Sequence, residues 1–370
     1  MSIGDASKKL FRNLALMAGG GARRTLSGDG EAPSRLVFGT VVRTAPIKEG
    51  GELVVLNWEK KSVEERVDII PRDPEIEEDP NPRGNTRGCR GIRCRDGQVI
   101  ASSYHTLELY DDDLQQVGAL SDGLMVGLHE IALTEQDTVW VTSTAIDAVV
   151  EYDLREQTRL RAFWPREMEP LQERLGLDPL PIDKEADNRL NFLAPSTTKA
   201  ESHLHLNAVA VHEDEVFALS SAYGAILNLS REEVALQHEG IDGGHNLLLW
   251  DDGIAVVNDT YGGTVRLYDL EEGTLLQSID LTSYKWVREL IRWKIPGYLA
   301  KEAMRTVGLR DHSVAKPLFV RGLVRHGPHL FVGVSPAAIL QVNWRTGDLV
   351  DAYQYSSDVH VCVHGLEVLG

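Results

Sequence analysis

Along this chain, short runs of Val, Ile, Leu and aromatic residues recur in sets, broken by Gly, Asp and Asn rather than by long polar stretches. Six segments share one arrangement: a polar residue, an apolar run, a turn, a second run, another turn and a third run. They are RGIRCRDGQVIASSYHTLELYD from Arg90, HEIALTEQDTVWVTSTAIDAVVEYDL from His129, NAVAVHEDEVFALSSAYGAILNL from Asn207, HNLLLWDDGIAVVNDTYGGTVRLYDL from His245, RGLVRHGPHLFVGVSPAAILQVNW from Arg321 and HGLEVLG from His364. A fourth run follows in the fuller units, as in TRLRAFW, TLLQSIDL and LVDAYQY. Short runs rich in β-branched and aromatic residues, bounded by turn formers, predict strands. Four strands per unit, repeated along the chain, predict an all-β, six-bladed β-propeller.

The sixth unit supplies only its first run. Its missing strands are available near the N-terminus: LVFGTVV (Leu36 to Val42), ELVVLNW (Glu52 to Trp58) and VEERVDII (Val63 to Ile70). A closing blade made of the C-terminal strand and these three would leave no free sheet edge, which all-β folds need. The expected organisation is an arm at residues 1–33, then a propeller over residues 34–370.

Aligned on the repeat, the first residue of each innermost strand is Arg90, His129, Asn207, His245, Arg321 and His364. Innermost strands line a propeller's central channel, so these six side chains should ring one mouth of it. Histidine takes every second place. The connections alternate too: those entering the histidine strands are short, whereas residues 71–89, 165–206 and 282–320 are long insertions. All three should gather over the ring as a lid, because long loops usually carry function. Residues 283–305 have helical spacing interrupted by Pro296, and residues 166–176 read as a helix ending at Gly176.

Composition narrows the classes. The chain has 370 residues and a formal net charge of -18, which argues against a general nucleic-acid binder. Of the 38 basic residues only 11 are Lys, a bias shared by salt-adapted proteins and GC-rich genomes. Cys89, Cys94 and Cys362 form no disulfide framework, and no apolar run approaches the ~18 residues of a membrane span. The start, KKLFRNLALMAGGGARR, is interrupted as a signal peptide by Arg12 and Asn13. A cytoplasmic location follows as the expectation.

Three imidazoles converging with threefold spacing suggest a centre of His129, His245 and His364 for a divalent transition metal such as Zn, Fe, Cu or Ni. Calcium, which prefers oxygen donors, suits them less well. Arg90 and Arg321 would hold a carboxylate or phosphate, with Asn207 beside them. Glu130, Asp147 and Asp259 are candidate acceptors for the imidazole N–H groups. Tyr104, Ser221, Tyr223, Tyr261 and Ser335 would crowd the same mouth. His203 and His205, in ESHLHLNAV, are possible additional members; His326 and His329 belong to a turn on the opposite face and should lie at the surface. Buried, inert thiols are the expectation for the cysteines.

The blades resemble those of the six-bladed propeller group that includes gluconolactonases, strictosidine-synthase-like proteins and NHL-type modules. RGLVRHGPHLFVGVS and HEIALTEQDTVWVTSTAIDAV are also similar to segments of uncharacterised bacterial propeller proteins. The resemblance implies architecture. Where that group's enzymes carry a calcium centre of Glu, Asn and Asp, this chain has His and Arg. Two functions are therefore expected from different classes. One is a metal-dependent enzyme acting on a small anionic or polar organic substrate; the other is a non-catalytic propeller that binds a ligand or a protein.

Overall fold

The computed structural model describes residues 32–43, 45, 49–70, 88–191, 203–309 and 315–369. Most of the N-terminal arm, the acidic loop at 71–87 and His312 lie outside these residues. Within them, twenty-four strands form six four-stranded antiparallel sheets. Five sheets use consecutive strands: β4–β7 (Ile92–Arg95 to Gln116–Leu120), β8–β11 (Leu128–Leu133 to Thr158–Phe163), β12–β15 (Leu206–His212 to Glu233–Gln237), β16–β19 (His245–Leu249 to Thr274–Asp280) and β20–β23 (Leu323–His326 to Asp348–Gln354). In the sixth, β24 (Val361–Leu369) pairs with β1 (Arg35–Val42), followed by β2 (Glu52–Asn57) and β3 (Ser62–Asp68). The propeller and its split closing blade are therefore as the repeat predicts. First strands of successive blades touch all the way round, including β24 against β4, so the ring is closed.

The apolar runs are continuous because both faces of every blade are covered by a neighbour. Buried side chains accordingly divide into six wedges rather than one core. In the wedge joining the last blade to the closing one, Phe38, Trp58, Phe331 and Ile339 pack together, and Trp58 Nε1 donates to Gln341 Oε1 at 2.9 Å. The fourth strands lie outermost and are largely exposed, as in β3. Every third strand ends on Asp or Asn: Asn57, Asp111, Asp153, Asn228, Asp269 and Asn343. In each case Oδ1 accepts from backbone N–H groups of the following turn. The recurring acidic or amide residue is thus the turn-forming side chain that ends one strand and starts the next.

Among the described residues, the insertions at 165–206 and 282–320 carry helices where their spacing predicts them. Helix α1 (Glu169–Leu175) ends at left-handed Gly176 and buries Leu171. Helix α2 (Lys285–Ile291) buries Val287 and Ile291 in the wedge between the fourth and fifth blades. Pro296 falls in the first turn of α3 (Ile295–Thr306), where its missing N–H costs nothing. One expectation fails: His329 is buried rather than superficial, because it begins β21 and is paired on both sides, with His326 and Asn343. Cys89 and Cys362 are buried and free, while Cys94 is half-buried.

Candidate functional site

The six first-position residues do converge. Ring centroids of His129, His245 and His364 stand 5.7 to 6.2 Å apart, forming a triangle across the axis. A register shift sits at the ring residue in each of four blades: between Leu128 and Ile131, Leu206 and Ala208, His245 and Leu247, and at β24 opposite Gly39 and Thr40. Such bulges re-aim side chains at the rims of sheets. Here they bring two consecutive residues to the channel. His129 faces the other imidazoles, while Glu130 Oε1 accepts from Asn246 Nδ2 at 2.8 Å and lies 3.9 Å from His364 Nδ1. Glycines keep the inner strands close: a Cβ on Gly91 would fall 2.6 Å from the His129 carbonyl, and one on Gly365 would fall 2.3 Å from that of Arg90.

The alternation has a pairwise meaning. Each intervening residue leans on the histidine of the next blade. Arg90 Nη1 donates to the Leu128 carbonyl at 3.0 Å, beside His129; Asn207 Nδ2 lies 2.9 Å from His245 Nε2; and Arg321 Nη1 meets His364 Nε2. Two threonines complete the arrangement. Thr144 Oγ1 is 2.9 Å from His129 Nδ1 and donates its own hydrogen to the Leu206 carbonyl. Thr260 Oγ1 is 2.8 Å from His245 Nδ1 and donates to the Val320 carbonyl at 3.0 Å. Their hydrogens are committed, so each hydroxyl accepts, and the neighbouring Gly127 and Gly243 carbonyls also accept. Nδ1 of His245 therefore carries the proton, and its Nε2 keeps its lone pair, whereas at His129 the Arg90 Nη1 donor also stands 3.2 Å from Nδ1. For His245 that lone pair takes the Asn207 amide. Each threonine follows its histidine by fifteen residues, a spacing visible in the sequence that reading for acidic acceptors missed.

The acidic candidates act elsewhere. Asp147 is buried and accepts from the backbone N–H groups of Leu204 and His205, with His203 Nε2 at 3.4 Å and Arg166 Nη1 at 3.6 Å. It fastens the end of the 165–206 insertion, which sets His205 in left-handed backbone with its ring 5.7 Å from that of His129. Asp259 pairs with Arg266 at 2.9 Å and caps the turn at Gly262. Tyr104 lies under the Arg90 guanidinium at 5.3 Å, and Tyr261 stands edge-on to Phe319 at 6.2 Å. Ser221 bonds to the His205 carbonyl, but Tyr223 packs with Leu171 of α1 and Met168 between blades.

A cationic group missed in the sequence completes the mouth. Arg43 Nη2 donates to the Lys316 and Val359 carbonyls and to Ser335 Oγ, tying down the strand entry at 315–321. Arg43 and Arg321 both lie over the Phe319 ring, at 4.8 and 4.4 Å. Lys316 Nζ donates to the Tyr261 carbonyl at 2.6 Å. No repeat position marks Arg43 or Lys316, so only the fold brings them here.

Electrostatics follow from burial. Desolvation, reinforced by Arg321 at all three and by Arg90 at His129 and His364, holds the ring histidines well below the ordinary imidazole value, so they are neutral at neutral pH. Burial also pushes the Glu130 carboxyl up to about 8, leaving it protonated there. Arg321 is pushed down to about 10 by burial. The groups that favour its charge are Cys362 and Tyr261, while Arg90 and Arg43 oppose it. Its Nε and that of Arg43 are buried without a hydrogen-bond acceptor.

Neutral imidazoles suit a transition metal, but the arrangement around them does not. Nε2 of His245 and of His364 face the Asn207 amide and the Arg321 guanidinium, and a dication would sit against buried arginines. Among the described residues no group of three or more His, Cys, Asp or Glu is disposed to hold a metal ion. Also among them, no helix is long and apolar enough to cross a membrane.

No protein-family model matches the chain, and no curated protein matches it. Solved structures do. A protein of unknown function from Bacteroides caccae is similar at 8% identity with a TM-score of 0.56, over 90% of this chain and 98% of that one. The likeness is one of fold. The computationally designed Ika8 protein is similar at 10% identity and a TM-score of 0.38, over 84% of this chain and 68% of that one.

Proposed function

We propose that the channel mouth binds a small organic anion. The observation that carries this reading is Arg321: a half-buried guanidinium whose buried Nε–H has no acceptor among the described residues, crowded by Arg90 and Arg43. A buried charge is costly unless paired, so an anionic ligand is the missing partner. Neutral imidazoles beside it leave the local field positive without adding charge of their own. The guanidinium supplies a planar fork suited to a carboxylate or phosphate. Thermal shift and calorimetry with small mono- and dicarboxylates and phosphate esters test this. A charged hydrogen bond contributes about 1.5–3 kcal/mol, so Arg321→Gln should weaken binding roughly 10- to 100-fold. Equal binding by the variant, or no anion bound more tightly than chloride, would overturn the reading.

A second reading, favoured by the triangle of neutral imidazoles, keeps the metal-dependent enzyme acting on such an anion. His129, His245 and His364 would hold the metal, which would supply Lewis-acid polarisation of a bound oxygen. It requires Asn207 and Arg321 to turn away from Nε2. Metal analysis of untagged protein decides it: wild type should carry metal that a triple His→Ala variant lacks.

A further inference from the structure

Helix α3 buries none of its residues, yet its outward side is apolar. Ile295, Tyr298, Leu299 and Glu302 are half-buried and form the side turned toward the propeller. On the opposite side Gly297, Ala300, Met304 and Val307 recur at intervals of three and four, which sets them in one stripe, and all are exposed. Trp293, in the turn before the helix, keeps the same spacing. The three most exposed large apolar side chains among the described residues are Trp293 at 79%, Leu309 at 73% and Val307 at 69%. Single exposed apolar residues are ordinary, but a contiguous row of them marks a contact surface.

The stripe has a cationic border. Lys294, Lys301 and Arg305 stand seven and four residues apart and so line one flank of the helix, with Arg305 shared by Glu302 at 3.0 Å. Residues 285–309 hold six basic residues against two acidic ones, in a chain with 38 basic and 56 acidic. Inward-facing Tyr298 lies close enough to Arg43 and Tyr261 to feel their charges, so the helix stands beside the channel mouth.

We propose that α3 and its flanking turns dock on an anionic lipid bilayer, with the helix lying in the headgroup plane. Trp293, Met304, Val307 and Leu309 would enter toward the acyl boundary while Lys294 and Lys301 meet lipid phosphates. Charge complementarity selects this occupant. The cations concentrated in one segment match anionic headgroups, whereas a second copy docked through the same face would set two cationic segments against each other. Attachment is to the surface, since a helix of 12 residues is too short to span a bilayer. Docking of this kind does not depend on what the channel mouth binds.

Cosedimentation of the full chain with vesicles tests this, using phosphatidylcholine alone and an equal mixture with phosphatidylglycerol. The mixture should bind the protein and phosphatidylcholine alone should not, with binding falling as salt rises. A Lys294→Gln, Lys301→Gln double variant should bind roughly 10- to 30-fold more weakly, each cation near an anionic surface contributing about fivefold. Trp293→Ser with Val307→Ser should likewise lose binding at an unchanged melting temperature, while Trp293→Phe retains it. Equal binding to both vesicles, or to neither, overturns the proposal. So does wild-type binding by the Trp293→Ser, Val307→Ser variant, which would place the contact elsewhere. Self-association in light scattering that this variant abolishes, in a protein that ignores vesicles, would assign the face to a second copy and overturn the lipid contact.

Discussion

Thr260 fixes the His245 imidazole by accepting from Nδ1 while donating to a carbonyl of the following blade, and Thr144 holds the same place against His129. A hydroxyl is required at this place, because a carboxylate would place charge beside the buried histidine and draw its proton. Thr260→Val should leave the fold intact yet release the His245 ring, visible as a changed imidazole nitrogen signal in NMR, at a cost of about 1–2 kcal/mol. The ring also fixes the response to acid. The three histidines have folded-state values depressed below the ordinary 6.5, so their contribution to stability is present above that pH and lost as pH falls below it. Glu130 has the opposite sign: raised from 4.5 to about 8, it stabilises most below its unfolded value, and that contribution fades as pH climbs to about 8. Melting temperature should therefore fall on acidification below about 6.5. Glu130→Gln should remove part of the loss between about 4.5 and 8, and an unchanged profile in that window would show that the carboxyl is ionised in the fold.

At the scale of elements, the bulges and the insertions do the positioning. Without the shift at Leu128 and Ile131, either His129 or Glu130 would point away from the channel, since strand side chains alternate. Asp147 ties the 165–206 insertion to the second blade with a histidine strand and so sets His205 against His129. Asp147→Asn keeps the shape but weakens charge-assisted bonds to two N–H groups. It should cost about 2 kcal/mol and raise proteolysis of residues 176–206 before the propeller itself unfolds. Inner strands also have a tight tolerance. Gly365→Ala would press a methyl group against the Arg90 carbonyl and the Ile92 side chain, and should cost about 1–3 kcal/mol in denaturant unfolding.

For the whole molecule, closure by β24 matters most, because it joins chain ends across 39 to 365 in sequence and supplies His364 to the ring. The sixth wedge and the third imidazole come together only when the ring is shut, so closing the propeller and completing the site are one event. A chain cut before Val361 should lose cooperative unfolding and anion binding together. If it still binds anions with wild-type affinity, the site does not depend on His364 or on closure. Charge acts at this scale too: a net charge of -18 surrounds a cationic mouth. Salt should therefore raise the melting temperature by screening self-repulsion while weakening ligand binding.

Strands, blade count, split closure and the six ring positions were legible in the sequence, because each follows from local periodicity and turn chemistry repeated at a regular interval. Alternation of His with Arg and Asn was legible for the same reason. The sequence alone could not say what the alternation does. Whether an imidazole points its lone pair at a metal, an amide or water depends on a bond made by its other nitrogen, and the threonine hydroxyls at that nitrogen are oriented by carbonyls of the following blade. Asp147 and Asp259 looked like those partners by proximity in the chain, but the strand direction turns them toward backbone and Arg266 instead. Arg43, Lys316 and Phe319 carry no repeat signature, and only ring closure brings them to the mouth. Periodicity is a property of one segment and can be read along the chain. The surroundings of Arg321 are a property of several segments meeting in space, so they were decided by the tertiary structure.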